Sequence, residues 1–279
     1  MFRIGILGAA DIAFNKFIPA LMKVEGVECA GVASNSPDKL KRFVEKYNVH
    51  VYSSYNEVIG DDSVDCVYIP LPPAFHYEWA KKALLAGKHV FLEKPSTTSA
   101  DDTKELVGIA GEKGLVVQEN YMFQFHAQLK EIESFIVSGE LGKLRLVRTS
   151  FGFPRRAEGD FRYVKELGGG TMMDNGGYTI KLIDMLLGES MRLVSSQLDY
   201  DEKTGIDIFG TAEFVNDDGV IAQAAFGMDC QYQCSLELWG SRGRLTTGRI
   251  YTAPDGFKPV ALVETGAGSR TVELPSCDA

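Results

Sequence analysis

Short apolar runs alternate with amphipathic segments through the first two-fifths of the chain. The apolar runs predict β-strands, and the segments with helical spacing predict α-helices between them. The predicted strands are residues 2–7, 27–33, 64–69, 88–92 and 115–118, and the predicted helices are residues 12–24, 37–47, 75–87 and 100–113. Alternation of this kind indicates an α/β domain whose helices cover both faces of a mostly parallel sheet.

The pattern changes near residue 143, where strand-like segments begin to follow one another with turn signals between them. One amphipathic helix, predicted over residues 171–187, interrupts them. The predicted strands are residues 143–152, 192–200, 206–215, 219–228, 233–240 and 243–248. This indicates an α+β domain with a large, mostly antiparallel open sheet. We therefore predict two domains, residues 1–122 and residues 123–279.

Composition narrows the classes of function. Of the 279 residues, 45% are hydrophobic and 24% charged, as in ordinary folded proteins. The formal net charge of −9 argues against nucleic-acid binding, which usually needs a concentrated basic face. The first residues, MFRIGILGAA, do not resemble a signal peptide, and no run approaches the roughly 18 uncharged apolar residues of a membrane span. We expect a cytoplasmic protein that binds neither nucleic acid nor membrane.

The five cysteines form no CxxC pair, and their number is odd. Cys29 and Cys66 lie within apolar runs, where a free thiol behaves as a small hydrophobic group. We expect reduced thiols rather than disulfides, and no metal site.

A turn of small residues follows the first predicted strand. Gly8, Ala10 and Ala13 stand where the dinucleotide-binding pattern GxGxxG has its glycines. Asp11 and Ile12 open the next helix, whose amino end favours a pyrophosphate. A chance turn of small residues is the alternative; the position between strand and helix favours a nucleotide site.

The end of the second predicted strand bears on the choice of cofactor. An acidic residue there usually binds the ribose 2′-OH of NAD and repels a 2′-phosphate. Here Ser34, Asn35 and Ser36 follow the strand, and Lys39 could neutralise a phosphate. The stretch favours NADP over NAD, although NAD stays open and the residues could simply form a solvated turn.

Two further strand ends carry candidate residues. Pro70, Leu71 and His76 follow the third predicted strand, and Glu93 and Lys94 follow the fourth. Open α/β sheets bind ligands at the carboxyl ends of their strands, so we predict cofactor contacts here and a lysine that holds a substrate oxygen. An ordinary exposed Lys-Pro turn is the alternative.

The predicted helix in the second domain opens with three consecutive glycines. Asp174, Tyr178 and Lys181 are spaced i, i+4 and i+7, which puts them on one face of an α-helix. Such a polar stripe is often only solvated. A tyrosine near a lysine on such a face can also act in proton transfer, so this face is a candidate catalytic surface.

Three segments in register resemble the Gfo/Idh/MocA oxidoreductases, from residue 2 to about residue 250. They are Gly87–Pro95, the Gly168–Tyr178 helix entry and Glu119–His126. The resemblance implies a Rossmann domain followed by an open antiparallel sheet that often forms homodimers or homotetramers. It also implies that Lys94 faces the substrate and that Asp174 contacts substrate hydroxyls, and with it we predict Lys94, Tyr178 and Asp174 as catalytic residues.

Two positions depart from the commonest family pattern. Many members have histidine where this chain has Tyr178, and an acid where it has Lys181. The change disfavours mechanisms that need a histidine–carboxylate pair. A phenol that is protonated at neutral pH suits ketone reduction, with Lys94 close by to stabilise the developing alkoxide. Arg162 is a candidate contact for an anionic group.

We therefore predict an NAD(P)-dependent oxidoreductase that transfers hydride between nicotinamide and a sugar carbonyl or carbinol. The favoured reaction is reduction of a keto-sugar, which could be nucleotide-linked. Two alternatives stay open from the sequence: a non-catalytic regulator that binds NAD(P) and a sugar, and an NAD-dependent glycosidase of the same fold. The resemblance also leaves open that the second domain lacks a C-terminal element.

Overall fold

A computed structural model describes residues 1–254 and 256–277. The chain forms two compact units. The first contains Met1–Asn120 together with Glu166–Gly168, and the second contains Tyr121–Lys165 and the chain from Gly169 onward. The boundary predicted after residue 122 stays a prediction, and residues 255, 278 and 279 of the predicted second domain lie outside the described residues.

The first unit consists of five strands and the helices that connect them. The strands are β1 (Phe2–Leu7), β2 (Val27–Ala33), β3 (Cys66–Ile69), β4 (His89–Glu93) and β5 (Val117–Asn120). The helices are α1 (Ile18–Leu21), α2 (Pro37–Tyr47), α3 (Tyr55–Gly60), α4 (His76–Leu85) and α5 (Ala100–Lys113). The predicted elements are confirmed, except that the sequence did not predict α3 and that a π-helical turn, Ala13–Phe17, precedes the short α1.

The five strands form one parallel sheet in the order β2-β1-β3-β4-β5. The order reverses between β1 and β3, which creates a crevice at the carboxyl ends of these two strands. Two apolar clusters fill the two faces of the sheet. Leu7, Val67 and Leu92 belong to one cluster, and Ile6 and Tyr68 belong to the other. The alternating side-chain directions of buried strands explain this two-sided core.

The described residues of the second unit form eight strands and two α-helices. The helices are α6 (Gln128–Val137) and α7 (Gly177–Leu187). The strands are β6 (Leu144–Gly152), β7 (Arg192–Tyr200), β8 (Asp207–Val215), β9 (Ile221–Gly227), β10 (Gln233–Gly240), β11 (Gly243–Gly248), β12 (Val260–Thr265) and β13 (Gly268–Glu273). Their order in the sheet is β13-β12-β11-β10-β6-β9-β8-β7. Neighbours are antiparallel apart from β6 and β9, which run parallel, so the predicted mostly antiparallel sheet is confirmed.

The helix predicted over 171–187 differs from the expectation in its first turn. Residues Met172–Gly176 form a π-helical turn, and α7 follows directly from Gly177. The i, i+4 argument that put Asp174 and Tyr178 on one face assumed α-helical geometry throughout, so it does not apply across this wider turn. Neither this helix nor any other in the described part of the chain is long and apolar enough to cross a bilayer.

Candidate active site

A cavity of ≈ 450 Å³ lies at the crevice between the carboxyl ends of β1 and β3. Eight of the residues predicted to bind the cofactor line it: Gly8, Ala10, Ser34, Asn35, Ser36, Lys39, Pro70 and Leu71. These residues come from three separate strand ends, and all of them were identified as turn residues that follow a strand. The first unit therefore gathers the predicted nucleotide residues around one cavity.

Gly8 occupies a position that other residues could not fill without disturbance. Its φ is +123°, and a Cβ atom there would lie 2.9 Å from Cδ2 of Leu71. Its backbone N–H donates to the carbonyl of Ala33 at 2.8 Å, which ties the turn to the end of β2. Together with the small Ala10, this turn leaves space for a pyrophosphate to approach the backbone, so the residues present fit a dinucleotide.

Polar residues that follow β2 line another part of the cavity. The Ser36 N–H donates to Oγ of Ser34 at 3.1 Å, which shapes the turn before α2. Lys39 follows on the first turn of α2, and within the described residues it makes no ion pair. Arg42, one turn further on, is instead paired with Asp11 at 2.7 Å. A cation without a carboxylate partner beside two hydroxyls suits a 2′-phosphate.

The sequence did not identify six further residues that line the cavity. They are Ala9, Tyr55, Pro72, Phe75, Glu78 and Trp79. The rings of Tyr55 and Trp79 meet edge to face with centroids 5.0 Å apart. The sequence could have predicted part of this wall, because residues 75, 78 and 79 have the i, i+3, i+4 spacing that places side chains on one face of a helix.

Within the described part of the chain, five of the residues predicted to bind the cofactor do not line the cavity. Asp11 is exposed and paired with Arg42, and Ile12 precedes the π-helical turn. His76 is fully buried, and its two ring nitrogens face the backbone carbonyls of Leu71 and Pro95. The remaining two, Glu93 and Lys94, lie at the end of β4. Direct contact of these five with a cofactor stays a prediction.

Glu93 links the ends of three neighbouring strands. Its Oε1 accepts a hydrogen bond from the Tyr68 hydroxyl on β3 at 2.6 Å and another from Nδ2 of Asn120 on β5 at 2.7 Å. Burial raises the pKa of Tyr68, and the Glu93 carboxylate raises it further, so the phenol stays a donor. These hydrogen bonds fix the end of β4, directly before Lys94.

The residues after Lys94 are also held. The Lys94–Pro95 peptide bond is cis, the Pro95 carbonyl faces Nδ1 of His76 at 2.8 Å, and the Ser96 N–H donates to Oε1 of Glu119 at 2.7 Å. Supports on both sides of Lys94 therefore fix the backbone that carries this side chain.

In the second unit, Asp207 supports the start of the glycine-led helix. Gly170 has a φ of +114°, and a Cβ atom there would collide with Oδ1 of Asp207. The other oxygen, Oδ2, accepts the N–H of Met172 at 2.7 Å. Burial raises the pKa of Asp207, although the amide bonds that it accepts oppose the shift. A carboxylate from β8 thus caps the helix in place of a side chain from the helix itself.

Asp174 forms a buried ion pair instead of standing alone. Nε of Arg162 lies 2.8 Å from Oδ2 of Asp174, and Nη1 lies 3.1 Å from Oδ1 of Asp160. Burial opposes the charge of Arg162, but the two carboxylates outweigh it and raise its pKa. The guanidinium considered for an external anion is therefore engaged by two carboxylates of the chain, and it orients Asp174.

Asn175 holds the π-helical turn to the sheet, and no sequence signal singled it out. Its side chain is fully buried, and Nδ2 donates to the carbonyls of Phe151 at 2.6 Å and Gly227 at 2.9 Å. The hydroxyl of Thr171 donates to its Oδ1. These bonds join the turn to the carboxyl ends of β6 and β9.

Tyr178 is half-buried in a cluster of aromatic rings. Its centroid lies 4.8 Å from that of Tyr121 and 5.2 Å from that of Phe151, both edge to face. Phe123 and Tyr251 complete the cluster, each with a centroid 5.7 Å away. A Cβ atom at position 177 would collide with the Tyr121 hydroxyl, so Gly177 is needed for this packing. The cluster limits the orientations open to the Tyr178 ring.

Comparison with known proteins extends these observations over almost the whole chain. Residues 2–121 match the family model described as the GFO/IDH/MocA oxidoreductase family with an NAD-binding Rossmann fold. Residues 129–246 match the GFO/IDH/MocA C-terminal domain.

Relatives that are similar along 99% of this chain agree with both matches. The chain is 36% identical to a dTDP-3,4-didehydro-2,6-dideoxy-alpha-D-glucose 3-reductase of Actinomadura kijaniata, over 99% of this chain and 83% of that protein. It is 38% identical to a reductase of the same name from Streptomyces violaceoruber, over 99% and 81%.

A solved structure is similar to the same extent. It is that of KijD10, a 3-ketoreductase from Actinomadura kijaniata, in complex with NADP and TDP-benzene. The TM-score is 0.96 at 36% identity, and the similarity covers 99% of this chain and 85% of that one. The predicted resemblance, fold class and class of activity are thereby confirmed: the chain belongs to the Gfo/Idh/MocA family of oxidoreductases, with an NAD-binding Rossmann domain at its amino end.

Proposed function

We propose that this protein is an NADPH-dependent reductase of a nucleotide-linked keto-sugar. The observation that carries the proposal is the similarity to reductases of a dTDP-linked 3-keto sugar, at 36–38% identity over 99% of this chain and 81–83% of those proteins. The reaction adds a hydride to the carbonyl carbon and a proton to its oxygen, which gives a hydroxyl group. By this proposal the substrate has the chemistry of dTDP-3,4-didehydro-2,6-dideoxy-α-D-glucose.

NADPH is the proposed cofactor, and when bound it supplies the hydride from its nicotinamide ring. The glycine turn at Gly8 would hold the pyrophosphate, and Ser34, Ser36 and Lys39 would hold the 2′-phosphate. The absence of an acidic residue from 34–37 removes the group that would repel this phosphate.

Side chains supply the proton and stabilise the developing negative charge. We assign the proton to the phenol oxygen of Tyr178, which donates it to the carbonyl oxygen as hydride arrives. Lys94 donates hydrogen bonds to the same oxygen and stabilises its charge. Asp174, oriented by Arg162, accepts hydrogen bonds from hydroxyls of the sugar. Solvent returns a proton to Tyr178 after each turnover.

The test is an assay with NADPH and the dTDP-linked 3-keto sugar, followed by loss of nicotinamide absorbance. Y178F should lower kcat by roughly 10²–10⁴-fold and change the Kd for NADPH by less than about threefold, because only the proton donor is removed. The matched control is Y200F, since Tyr200 is exposed on β7, and it should keep full activity.

Three outcomes would contradict the proposal. If Y178F turns over like the unaltered protein, Tyr178 is not the acid. If NADPH binds but no keto-sugar nucleotide consumes it, the protein is a binding module. If a glycosidic bond is cleaved without net formation of NADP⁺, it is a glycosidase that uses its cofactor transiently.

We also propose that the protein forms homodimers or homotetramers through the exposed face of the large sheet. Trp239, which is 53% exposed, and the exposed Ile221 and Leu262 leave apolar surface on β10, β9 and β12. W239K should shift the mass measured by light scattering towards the monomer, and an unchanged mass would exclude this face.

Cytoplasmic location is proposed as well. All five cysteines lie within the described residues and are free thiols, as expected where thiols stay reduced. Fractionation of the producing cells, with detection of the protein by antibody, tests the location.

A further inference from the structure

His76 lies between the nucleotide cavity and the turn that carries Lys94. It is the first residue of α4 and is fully buried. Its Nε2 lies 2.7 Å from the carbonyl oxygen of Leu71, which lines the cavity, and its Nδ1 lies 2.8 Å from that of Pro95. One ring therefore spans two loops that leave different strands of the sheet.

The protonation of the two ring nitrogens decides which of these two contacts is a hydrogen bond. Carbonyl oxygens only accept hydrogen bonds, so each contact needs an N–H on the ring. A neutral imidazole donates to one of the two carbonyls, and an imidazolium donates to both. The charged groups that face the ring from the β4 turn are the Glu93 carboxylate and the Lys94 ammonium, which act on its charge in opposite directions. In either state the ring fills the space between the loops.

We propose that His76 is a positioning residue that couples the nucleotide cavity to Lys94. The inference rests on the proposed function, because that function requires Lys94 to stand at a fixed distance from a cofactor held against Leu71. The Pro95 carbonyl belongs to the residue directly after Lys94, so movement at this end displaces the lysine backbone. Misplacement of a reacting group by about 1 Å can cost roughly 10²-fold in rate.

Two substitutions test the contacts with Leu71 and with Pro95 one at a time. The amide nitrogen of glutamine can take the position of Nε2, so H76Q keeps the contact with the Leu71 carbonyl and loses the contact with the Pro95 carbonyl. The shorter asparagine matches Nδ1, so H76N keeps the contact with the Pro95 carbonyl and loses the contact with the Leu71 carbonyl. We expect H76Q to lower kcat by roughly 10- to 100-fold with less than about a threefold change in the Kd for NADPH, and H76N to raise that Kd by about tenfold.

A double-mutant cycle shows whether His76 acts through Lys94. In a K94A background H76Q should change kcat by less than about threefold, because the side chain that it positions is gone. The matched control is H89Q, since His89 on the same sheet also bonds backbone, accepting the N–H of Val116 at 3.0 Å, but at the amino end of β4. It should stay within about twofold of the unaltered protein.

Each failure has its own signature. An equal loss of kcat from H76Q in both backgrounds, or an unchanged kcat in H76Q, overturns the positioning role. An unaltered protein that oxidises no NADPH, or a K94A variant with full activity, contradicts the proposed function instead. If H76Q does not fold, the Kd measured with H76N decides, and an unchanged value overturns the inference.

Discussion

Two turns that carry candidate site residues are built alike and supported differently. The turn at Gly8 in the first unit and the turn at Gly170 in the second both contain a glycine with positive φ, and both lead into a π-helical turn. Around Gly8 the supports are a backbone carbonyl and an apolar side chain. Around Gly170 they are buried or half-buried polar and charged groups, namely Asp207, Asn175 and the Arg162–Asp174 pair.

A substitution should therefore have different effects at the two turns. A changed apolar contact near Gly8 alters the shape of the cavity, whereas removal of one partner near Gly170 leaves a buried polar group without its bond. The second kind of loss costs more free energy. We therefore expect substitutions at the first turn to act mainly on cofactor affinity, and those at the second to lower stability and activity together.

The largest effect is expected from R162M. It removes the cation that pairs with the buried Asp174 and the half-buried Asp160, which should lower the free energy of unfolding by about 3 kcal/mol. The control is R155M, because Arg155 pairs with Asp201 and Asp229 in a more exposed setting, where solvent screens the pairs, and its loss should cost clearly less stability. Urea unfolding measures both, and equal losses would contradict the role assigned to the buried pair.

N175A should follow, with a loss of about 2 kcal/mol, because the carbonyls of Phe151 and Gly227 each lose a hydrogen bond from the buried amide. Q197A is the control, since the side chain of Gln197 is exposed and donates to the carbonyl of its neighbour Leu198. It should stay within about 0.5 kcal/mol of the unaltered protein. A thermal melt that is the same for N175A and Q197A would show that the π-helical turn does not depend on Asn175.

In the first unit, G8A should weaken NADPH binding by about tenfold, because the new methyl group meets Leu71 at the cavity wall. G26A is the matched control: Gly26 also has a positive φ, +82°, but a Cβ atom there would meet nothing within 4 Å. Both variants should lose about 1–3 kcal/mol of stability from the backbone conformation. Only G8A should change the Kd, and a similar change in G26A would assign the effect to backbone strain.

A smaller effect, again on affinity, is expected from K39E. A carboxylate near the 2′-phosphate should raise the Kd for NADPH by about tenfold and leave that for NADH within about twofold. K41E reverses the same charge two residues away, where Lys41 faces Glu45 instead of the cavity, and should change neither constant appreciably. Fluorescence titration with both nucleotides checks the prediction, and equal weakening of NADH would exclude a 2′-phosphate contact.

The smallest effect concerns pH and involves one histidine in each unit. Burial lowers the pKa of His76 and of His126 in the folded protein. Between the lowered folded value and the unfolded value of about 6.5 the unfolded chain binds more protons, so stability is complete above that window and declines as pH falls through it. Urea unfolding at pH 7.5, 6.5 and 5.5 should show this decline, and it should be weaker in an H76Q/H126Q variant. A flat profile would mean that neither histidine resists protonation.

Local signals explain which parts of the site could be predicted from the sequence. Gly8, Ser34–Lys39 and Pro70–Leu71 all follow a strand directly, so the strand pattern alone placed them at one edge of a parallel sheet. Asp207 and Asn175 offered no such signal, because their partners stand 35 and 52 residues away in the chain. A π-helical turn has no sequence period of its own, so the first turn of the second site helix was assigned as α.

The missed elements have different reasons. Helix α6 could have been predicted, because its apolar residues Leu129, Ile132 and Phe135 repeat at helical spacing. The short α3 was harder, because its six residues span less than two turns. Its omission also hid Tyr55, and with it part of the aromatic wall of the cavity.

The backbone supports described around Lys94 come from within the first unit: Glu93 with Tyr68 and Asn120, Glu119 through Ser96, and His76. Protein engineers who change the residues that contact the sugar should therefore leave these first-unit residues as they are, because they hold the lysine backbone in place.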